Sequence, residues 1–350
     1  MSETQGAAET PRAAAVRVAD RVIERRRHDR PRDAALRLGR RRHDGRHDAR
    51  RRTDRRPPLS PLCTTLGGLL ARSRHHAGAG AARYCGHWGP AYPLLLLYQK
   101  TGEARYLDMA DQVLDYMMNT ATRTRDGGLD HWRDNQELWV DTLFMCVPPF
   151  STSTALTGRK QHHEESIRQL RVFETHLQNE NGLYYHMWDQ KDGRQHGDYW
   201  ARGNGWVVMA LVEAMKVEPK GTATYEWLRD EYKQLIDSLV RVQDEKTGLW
   251  HTILTDSSTY LETSASAMYL YAYAEAERLG LANLPYDARF RKTWEGLVPY
   301  VDDVGRFTGV SAGTGPRDER GYAVKPQGTY TWGTGAFLLA ASATDGWLGK

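Results

Sequence analysis

One short phrase recurs along this chain and limits what it can fold into. Gly-Leu followed by aromatics and a histidine appears as Gly127-Gly128-Leu129-Asp130-His131-Trp132, as Asn181-Gly182-Leu183-Tyr184-Tyr185-His186 and as Thr247-Gly248-Leu249-Trp250-His251. The copies stand about 55 to 65 residues apart, the length of a helical hairpin with its loops. Between them run amphipathic stretches. In 103–119, Tyr106, Met109, Ala110, Val113, Leu114 and Met117 recur at spacings of three and four, which is one face of a helix. Similar patterns occupy about 136–156, 162–179, 204–217, 223–243, 262–279 and 288–301, with a last apolar run near 333–343. No stretch alternates at period two for long, so the chain is expected to be all-α, a toroid of helical hairpins. In such a ring the phrases lie at equivalent hairpin ends, and their aromatic and histidine side chains converge on a common mouth. Leu129, Leu183 and Leu249 are read as caps of the core.

Composition divides the chain in two. Residues 1–84 hold 21 arginines, no lysine and nine acidic residues, a net of +12, which leaves −8 for the remainder. Their one aromatic is Tyr84, and every tryptophan lies from Trp88 onward. A segment so poor in apolar side chains cannot offset its ordering entropy by burial. It is expected to be a solvated, disordered tail or the out-of-frame translation of GC-rich DNA. Clusters such as Arg25-Arg26-Arg27 and Arg50-Arg51-Arg52 suit phosphates, but arms that stack bases interleave aromatics, so no nucleic-acid partner is expected. Residues 85–350 are read as the folded domain. Three widely spaced cysteines (Cys63, Cys85, Cys146) make neither a disulfide framework nor a zinc site. No apolar run reaches the roughly 20 residues of a membrane span, and the first residues resemble no secretory signal. No membrane association and a cytoplasmic location are expected.

Rings of Trp, Tyr and His with a few carboxylates suit sugars, whose C–H faces pack on aromatics while their hydroxyls meet polar edges. Leu138-Trp139-Val140-Asp141-Thr142-Leu143 sets one carboxylate in an apolar run. Left unpaired there, Asp141 would have its pKa raised by desolvation, as a general acid requires. A helix-starting Asp bonded to backbone amides reads the same spacing equally well. In Tyr199-Trp200-Ala201-Arg202-Gly203-Asn204-Gly205-Trp206, two tryptophans flank an arginine, and two glycines allow close backbone approach. Arg202 there suits a carboxylate ligand gripped bidentately, or else packs at a helix start. Read as a dinucleotide fingerprint, Gly203-x-Gly205 lacks a preceding strand and a third glycine.

These phrases, with Tyr185-His186-Met187-Trp188-Asp189, Tyr260-Leu261-Glu262-Thr263-Ser264 and Gly309-Val310-Ser311-Ala312-Gly313-Thr314-Gly315, closely resemble glycoside hydrolase family 105 from about residue 87 to 345. The resemblance implies a six-hairpin (α/α)6 toroid. It implies hydrolysis of the 4,5-unsaturated uronic acid that polysaccharide lyases leave at a non-reducing end, by hydration of its vinyl ether and with no metal or cofactor. The expected partner is an unsaturated uronyl oligosaccharide, such as an unsaturated rhamnogalacturonan fragment from pectin. By motif, Asp141 takes the place of the catalytic acid/base. His131, His186, Arg202 and Trp206 fall in the substrate pocket, with Trp139, Trp188, His87 and Trp88 as further contacts.

One departure matters. Before the helix carrying Leu94-Leu95-Leu96-Leu97, the family has a second functional Asp, commonly followed by His-Trp. Here the match reads Cys85-Gly86-His87-Trp88, with Gly86 at the expected Asp. The toroid is therefore expected to be incomplete at its N-terminal end, with Trp88, Tyr92 and Leu94–Leu97 exposed. The alternative function is a catalytically impaired, sugar-binding relative. An interaction protein working through the basic arm is a weaker competitor.

Overall fold

The computed structural model describes residues 83–317, 321–345 and 347, together with residues 10, 13, 14 and 18. Its described helices are α1 (Ala91–Thr101), α2 (Ala104–Asn119), α3 (Asp141–Thr157), α4 (Lys160–Leu177), α5 (Ala201–Met215), α6 (Ala223–Arg241), α7 (Thr263–Arg278), α8 (Asp287–Leu297) and α9 (Thr331–Asp345). Two compositions explain two layers. All of α5 is buried, and α7 is buried from Thr263 to Ala276. A helix apolar on every side needs neighbours on every side. By contrast α6 buries one stripe, Tyr225, Leu228, Tyr232, Leu235, Ile236 and Leu239, at helical spacing. It lies outside, paired with α5, as α2, α4 and α8 pair with α1, α3 and α7. The inner helices α1, α3, α5, α7 and α9 pack side by side in chain order. Four hairpins and a fifth inner helix, among the described residues, thus build an α/α toroid.

Its N-terminal flank differs from the sequence expectation. Trp88, Leu94, Leu95 and Leu97 are buried, and of the Leu94–Leu97 row only Leu96 is exposed, at 40%. Ala14 and Val18, both helical, are fully buried in the main core. Both are small and apolar, and the arginine count conceals them. The remaining residues of 1–82 lie outside the described set, so the expectations placed on them stay as expectations.

Each Gly-Leu phrase folds back on the end of the preceding helix. Thr124 N–H donates to Gly128 O, Asn179 N–H to Leu183 O and Asp244 N–H to Leu249 O, at 2.8, 3.0 and 2.9 Å. Gly127, Gly182 and Gly248 turn the chain with φ of 93°, 80° and 74°, a region that favours glycine. Leu129, Leu183 and Leu249 are all buried, as expected of core caps. The aromatic part of two phrases leads into a feature missed by periodicity, a small antiparallel sheet. It comprises β1 (Glu137–Trp139), β2 (Met187–Asp189) and β3 (Arg194–His196) in that order. Three-residue strands are too short to show an alternation. Because β1 occupies 137–139, α3 starts at Asp141, later than the expected 136. A second pair, β4 (Val310–Ser311) and β5 (Gln327–Gly328), lies near the start of α9.

Between outer helices α4 and α6, Glu231 accepts hydrogen bonds from Gln178 Nε2 at 3.0 Å and from the Tyr184 hydroxyl at 3.4 Å. Burial, and then the neighbouring Glu174 carboxylate, push Glu231 up to about 7. The folded state therefore holds a proton that the unfolded chain has released, so this pair costs stability as pH rises from the ordinary carboxylate range to about 7. Glu231→Gln is expected to flatten that slope relative to wild type. At pH 8 it should stabilise the protein by on the order of 1 kcal/mol, a figure already reduced for solvent screening. Thermal unfolding of both proteins at pH 5 and pH 8 checks this; a difference that does not change with pH would remove the shared proton from the account.

Candidate active site

Asp141 is held by its position at the junction of strand and helix. It is the first residue of α3, where the helix dipole favours a carboxylate. Val140 N–H, just before it, donates to His186 O at 3.0 Å, which draws the second Gly-Leu phrase against the first. Asp141 Oδ2 then lies 3.3 Å from His186 Nε2. Both atoms are buried, with no polar partner other than each other. His186 Nδ1 shares a 2.9 Å hydrogen bond with the Tyr322 hydroxyl. Its ring stacks on Trp200 at 4.4 Å and meets the edge of Trp139 at 5.3 Å. His131 stacks on Trp139 at 4.2 Å and 9°, and its Nδ1 lies 3.2 Å from Thr142 Oγ1 and 3.3 Å from Cys85 Sγ. Trp139 is fixed in turn by its own N–H to Glu137 Oε2, at 2.9 Å.

The charges around Asp141 correct one expectation. Desolvation does raise its pKa, but hydrogen bonding and attraction from His186, with smaller pulls from Arg202 and, in acid where it is charged, from His131, outweigh it and the net shift is downward. The carboxylate is not unpaired, which the sequence reading had assumed. His131 moves down to about 4 because burial disfavours its charged form, so it is neutral at pH 7.

Arg202 also differs from expectation. It is 3% exposed, and its guanidinium donates to Ser311 Oγ, to Ser311 O at 3.2 Å and to Ala312 O at 2.9 Å. Glu262 Oε1 lies 3.5 Å away, and Trp200 and Trp332 cover its two sides at 4.3 and 5.4 Å. Burial lowers its pKa. The group expected to grip a ligand carboxylate bidentately is thus bonded to the β4 segment.

Of the residues singled out from sequence, Asp141, His131, His186, Trp139 and Arg202 are brought together. Trp206, one turn after Arg202 on α5, packs against Phe144 at 5.2 Å. Trp188 does not join them. It pairs with Leu138 across the sheet, one residue out of step with Trp139, and strand alternation sends it to the opposite face, stacked on His176 at 3.8 Å. Trp88 is a core residue near Tyr116, whereas His87 is exposed beside Tyr84 at 5.7 Å. The third phrase's histidine, His251, turns its Nδ1 to Thr259 O. Sequence reasoning gave no role to Tyr322, Glu262 or Ser311, although two of these lie in phrases already noted as motifs. Asp189, Asp192 and His196 have atoms within metal-ligand range of one another. They are already bonded, Asp189 to Arg317 at 2.5 Å and His196 to Asp192 at 2.8 Å.

Comparison with known proteins places this geometry. The model of the family described as Glycosyl Hydrolase Family 88 matches residues 72–344. A solved structure from Salmonella enterica, described as a possible member of family GH105, superposes with a TM-score of 0.71 at 28% identity, covering 74% of this chain and 71% of that one. The chain belongs to the family 88 and 105 glycoside hydrolases. Among curated relatives of this glycoside hydrolase is the unsaturated rhamnogalacturonyl hydrolase YesR of Bacillus subtilis. It is 32% identical over 71% of this chain and 73% of its own length. The unsaturated 3S-rhamnoglycuronyl hydrolase of Formosa agariphila is 28% identical over 58% of this chain and 56% of its own length. The family match starts upstream of Cys85, and Arg83 and Tyr84 are already paired with Arg133 and Trp132.

Arg202→Ala is expected to cost about 3–5 kcal/mol of stability, because it leaves Glu262 buried without its cation. Arg202→Lys should cost less but still lower the melting temperature, since an ammonium cannot reproduce three donor directions at once. Calorimetric melting of both variants is the check. Wild-type stability in Arg202→Ala would show that Glu262 does not need the pair.

Proposed function

We propose that this glycoside hydrolase removes a 4,5-unsaturated uronic acid from the non-reducing end of a lyase-generated oligosaccharide, with a rhamnogalacturonan fragment as the leading substrate. The observation that carries the reading is the Asp141–His186 pair, 3.3 Å apart beside the stacked rings of Trp139 and His131. The names of the relatives from Bacillus subtilis and Formosa agariphila support it. In this reading Asp141 gives a proton to C4 of the vinyl ether and, as a carboxylate, takes one from the water whose oxygen bonds to C5. The C5 hemiketal opens to a ketone, which leaves C1 as a hemiacetal that releases the aglycone as an alcohol. One carboxylate serves both steps, so the two-carboxylate spacing of ordinary glycosidases is not required.

The lowered pKa of Asp141 must be reversed before it can donate. A bound uronate supplies the reversal, since a second negative charge nearby, with water excluded, favours the protonated form. Neutral His131 adds no opposing charge at pH 7. Tyr322 holds His186 in place, and Arg202 acts at a distance through its field and through the β4 segment. His131, Trp139 and Trp206 line the sugar; Trp188 and Trp88 are left out.

A second reading, a sugar-binding relative without turnover, is favoured by Gly86. A Cβ there would come 2.3 Å from Cε1 of Tyr84, so the tyrosine ring fills the space of any side chain. Gly86→Asp alone is expected to lower stability by about 1–3 kcal/mol through overpacking, and Tyr84→Ala in the same chain should relieve it. An unchanged melting temperature in the single variant would mean that the ring yields freely.

Asp141→Asn is expected to keep substrate binding and to lose turnover by about 10²–10⁴-fold, the usual worth of a general acid/base. Loss of ultraviolet absorbance from the conjugated double bond measures it. In the wild type, the alkaline limb of kcat should lie at higher pH than that of kcat/KM, because the complex holds the raised carboxyl and the free enzyme the lowered one. Turnover by Asp141→Asn at the wild-type rate would remove Asp141 from the chemistry. Tight binding of the unsaturated disaccharide with no loss of absorbance in the wild type would favour the second reading.

A further inference from the structure

We propose that the open cleft lined by Arg83, Trp132 and Arg133 is an outer subsite for a uronate-bearing sugar on the aglycone side of the scissile bond. The inference rests on the reading above and extends it to substrate length and charge. Trp132 is 44% exposed, an unusual position for the largest apolar side chain beside a pocket. Tyr84 stacks on it at 4.6 Å and 24°, so the indole is held flat as a platform. From that platform a continuous series of rings leads to the candidate acid. Tyr84 meets His131 at 5.3 Å, His131 stacks on Trp139, Trp139 meets His186, and His186 faces Asp141. The platform is thus tied to the Asp141 site by packed rings, and a sugar chain whose first ring lies at Asp141 would have to pass over their outer edge to reach Trp132.

The frame of the cleft is backbone pairing. Arg133 N–H donates to Arg83 O at 3.1 Å, Cys85 N–H donates to His131 O at 3.0 Å, and Tyr84 and Trp132 form an antiparallel bridge between them. This holds Arg83 and Arg133 next in the chain to the stacked Tyr84–Trp132 pair, and both line the cleft with Trp132. The cleft encloses about 390 Å³, within the range of small-ligand sites. Asp134 lines it too, and its carboxylate lies 3.4 Å from Arg133 Nε in an exposed pair that competes weakly with a ligand. Two guanidiniums beside an aromatic platform select an acidic sugar over a neutral one, because their forks match a carboxylate. The substrate chemistry supplies such a group. An unsaturated end arises by elimination at a uronate, so its parent polymer carries further uronates along the chain.

The test compares unsaturated di- and tetrasaccharides released from rhamnogalacturonan by a lyase. The wild type is expected to show a lower KM for the tetrasaccharide. Trp132→Ala should raise that KM by about three- to tenfold, and Arg83→Gln and Arg133→Gln by about tenfold at low salt and less at high salt. All three should leave kcat/KM on the disaccharide within about twofold, and Trp132→Phe should recover most of the tetrasaccharide affinity. Equal losses on both substrates would overturn the subsite, because the residues would then act on the inner pocket. Equal KM values for the two lengths in the wild type would overturn it as well. Calorimetry with the saturated tetrasaccharide separates this result from the fate of the proposed reaction. Heat that weakens in Trp132→Ala supports the subsite even when no unsaturated sugar is turned over, and the absence of heat in the wild type rules it out.

Discussion

The burial of Arg202 against Glu262 shapes the mouth of this toroid. Glu262 has no solvent exposure and caps α7 through Ala265 N–H at 2.7 Å, while also accepting from the Ser264 hydroxyl and from Ser311 N–H. Arg202 arrives from α5 and bonds the same Ser311 segment. Two inner helices and β4 thus meet at one charge pair. Such pairs contribute little net stability once desolvation is counted, but they fix geometry because a misplaced partner leaves a bare buried charge. What they fix here is Trp200, which lies over Arg202 on one side and on His186 on the other. The orientation of His186 toward Asp141 is therefore set from the far side of the pocket, with Tyr322 holding its other nitrogen.

The state of Asp141 depends on which of two large effects prevails. Burial favours the neutral acid, and His186 and Arg202 favour the carboxylate. The neighbours prevail without substrate. In the proposed reaction, a uronate entering the same pocket would shift the balance toward the acid, so that binding produces the proton donor. In that proposal the arrangement also makes the site selective, because a neutral sugar brings no charge to raise the pKa. Burial of His131 contributes by keeping that ring neutral, since a charged imidazole there would hold Asp141 ionised.

Much of the fold was readable from sequence for a simple reason. Spacings of three and four located eight helices to within a few residues, because long apolar stripes and all-round apolar runs report burial directly. The Gly-Leu phrases marked the hairpin ends, since a left-handed glycine followed by a buried leucine is a local requirement. The failures are equally physical. β1 and β2 were too short to show a period, and without them Trp188 could not be told from Trp139, although one residue of register sends them to opposite faces. Arg202 was placed in the site, but its partners within the protein could not be read, because Glu262 and Ser311 lie 60 and 109 residues away in sequence. Tyr322 carried no local signal at all. Ala14 and Val18 were hidden by the arginines around them.

The N-terminal rim brings these points together. Cys85, Gly86 and His87 form a single 3-10 turn pinned to the first Gly-Leu phrase through Cys85 N–H and His131 O. Gly86 carries no side chain, and the ring of Tyr84 occupies the space that one would take. The rim therefore presents a phenol, two histidines and a tryptophan where a second carboxylate would otherwise stand. A mechanism that needs two carboxylates in opposite protonation states is poorly served by that rim. In the proposed hydration of a vinyl ether, the group that loses its proton to carbon is thereby made the base for the water that follows, so one carboxylate can serve both steps. In that proposal Asp141 alternates between both forms, and the aromatic rim would hold sugar rings and exclude water.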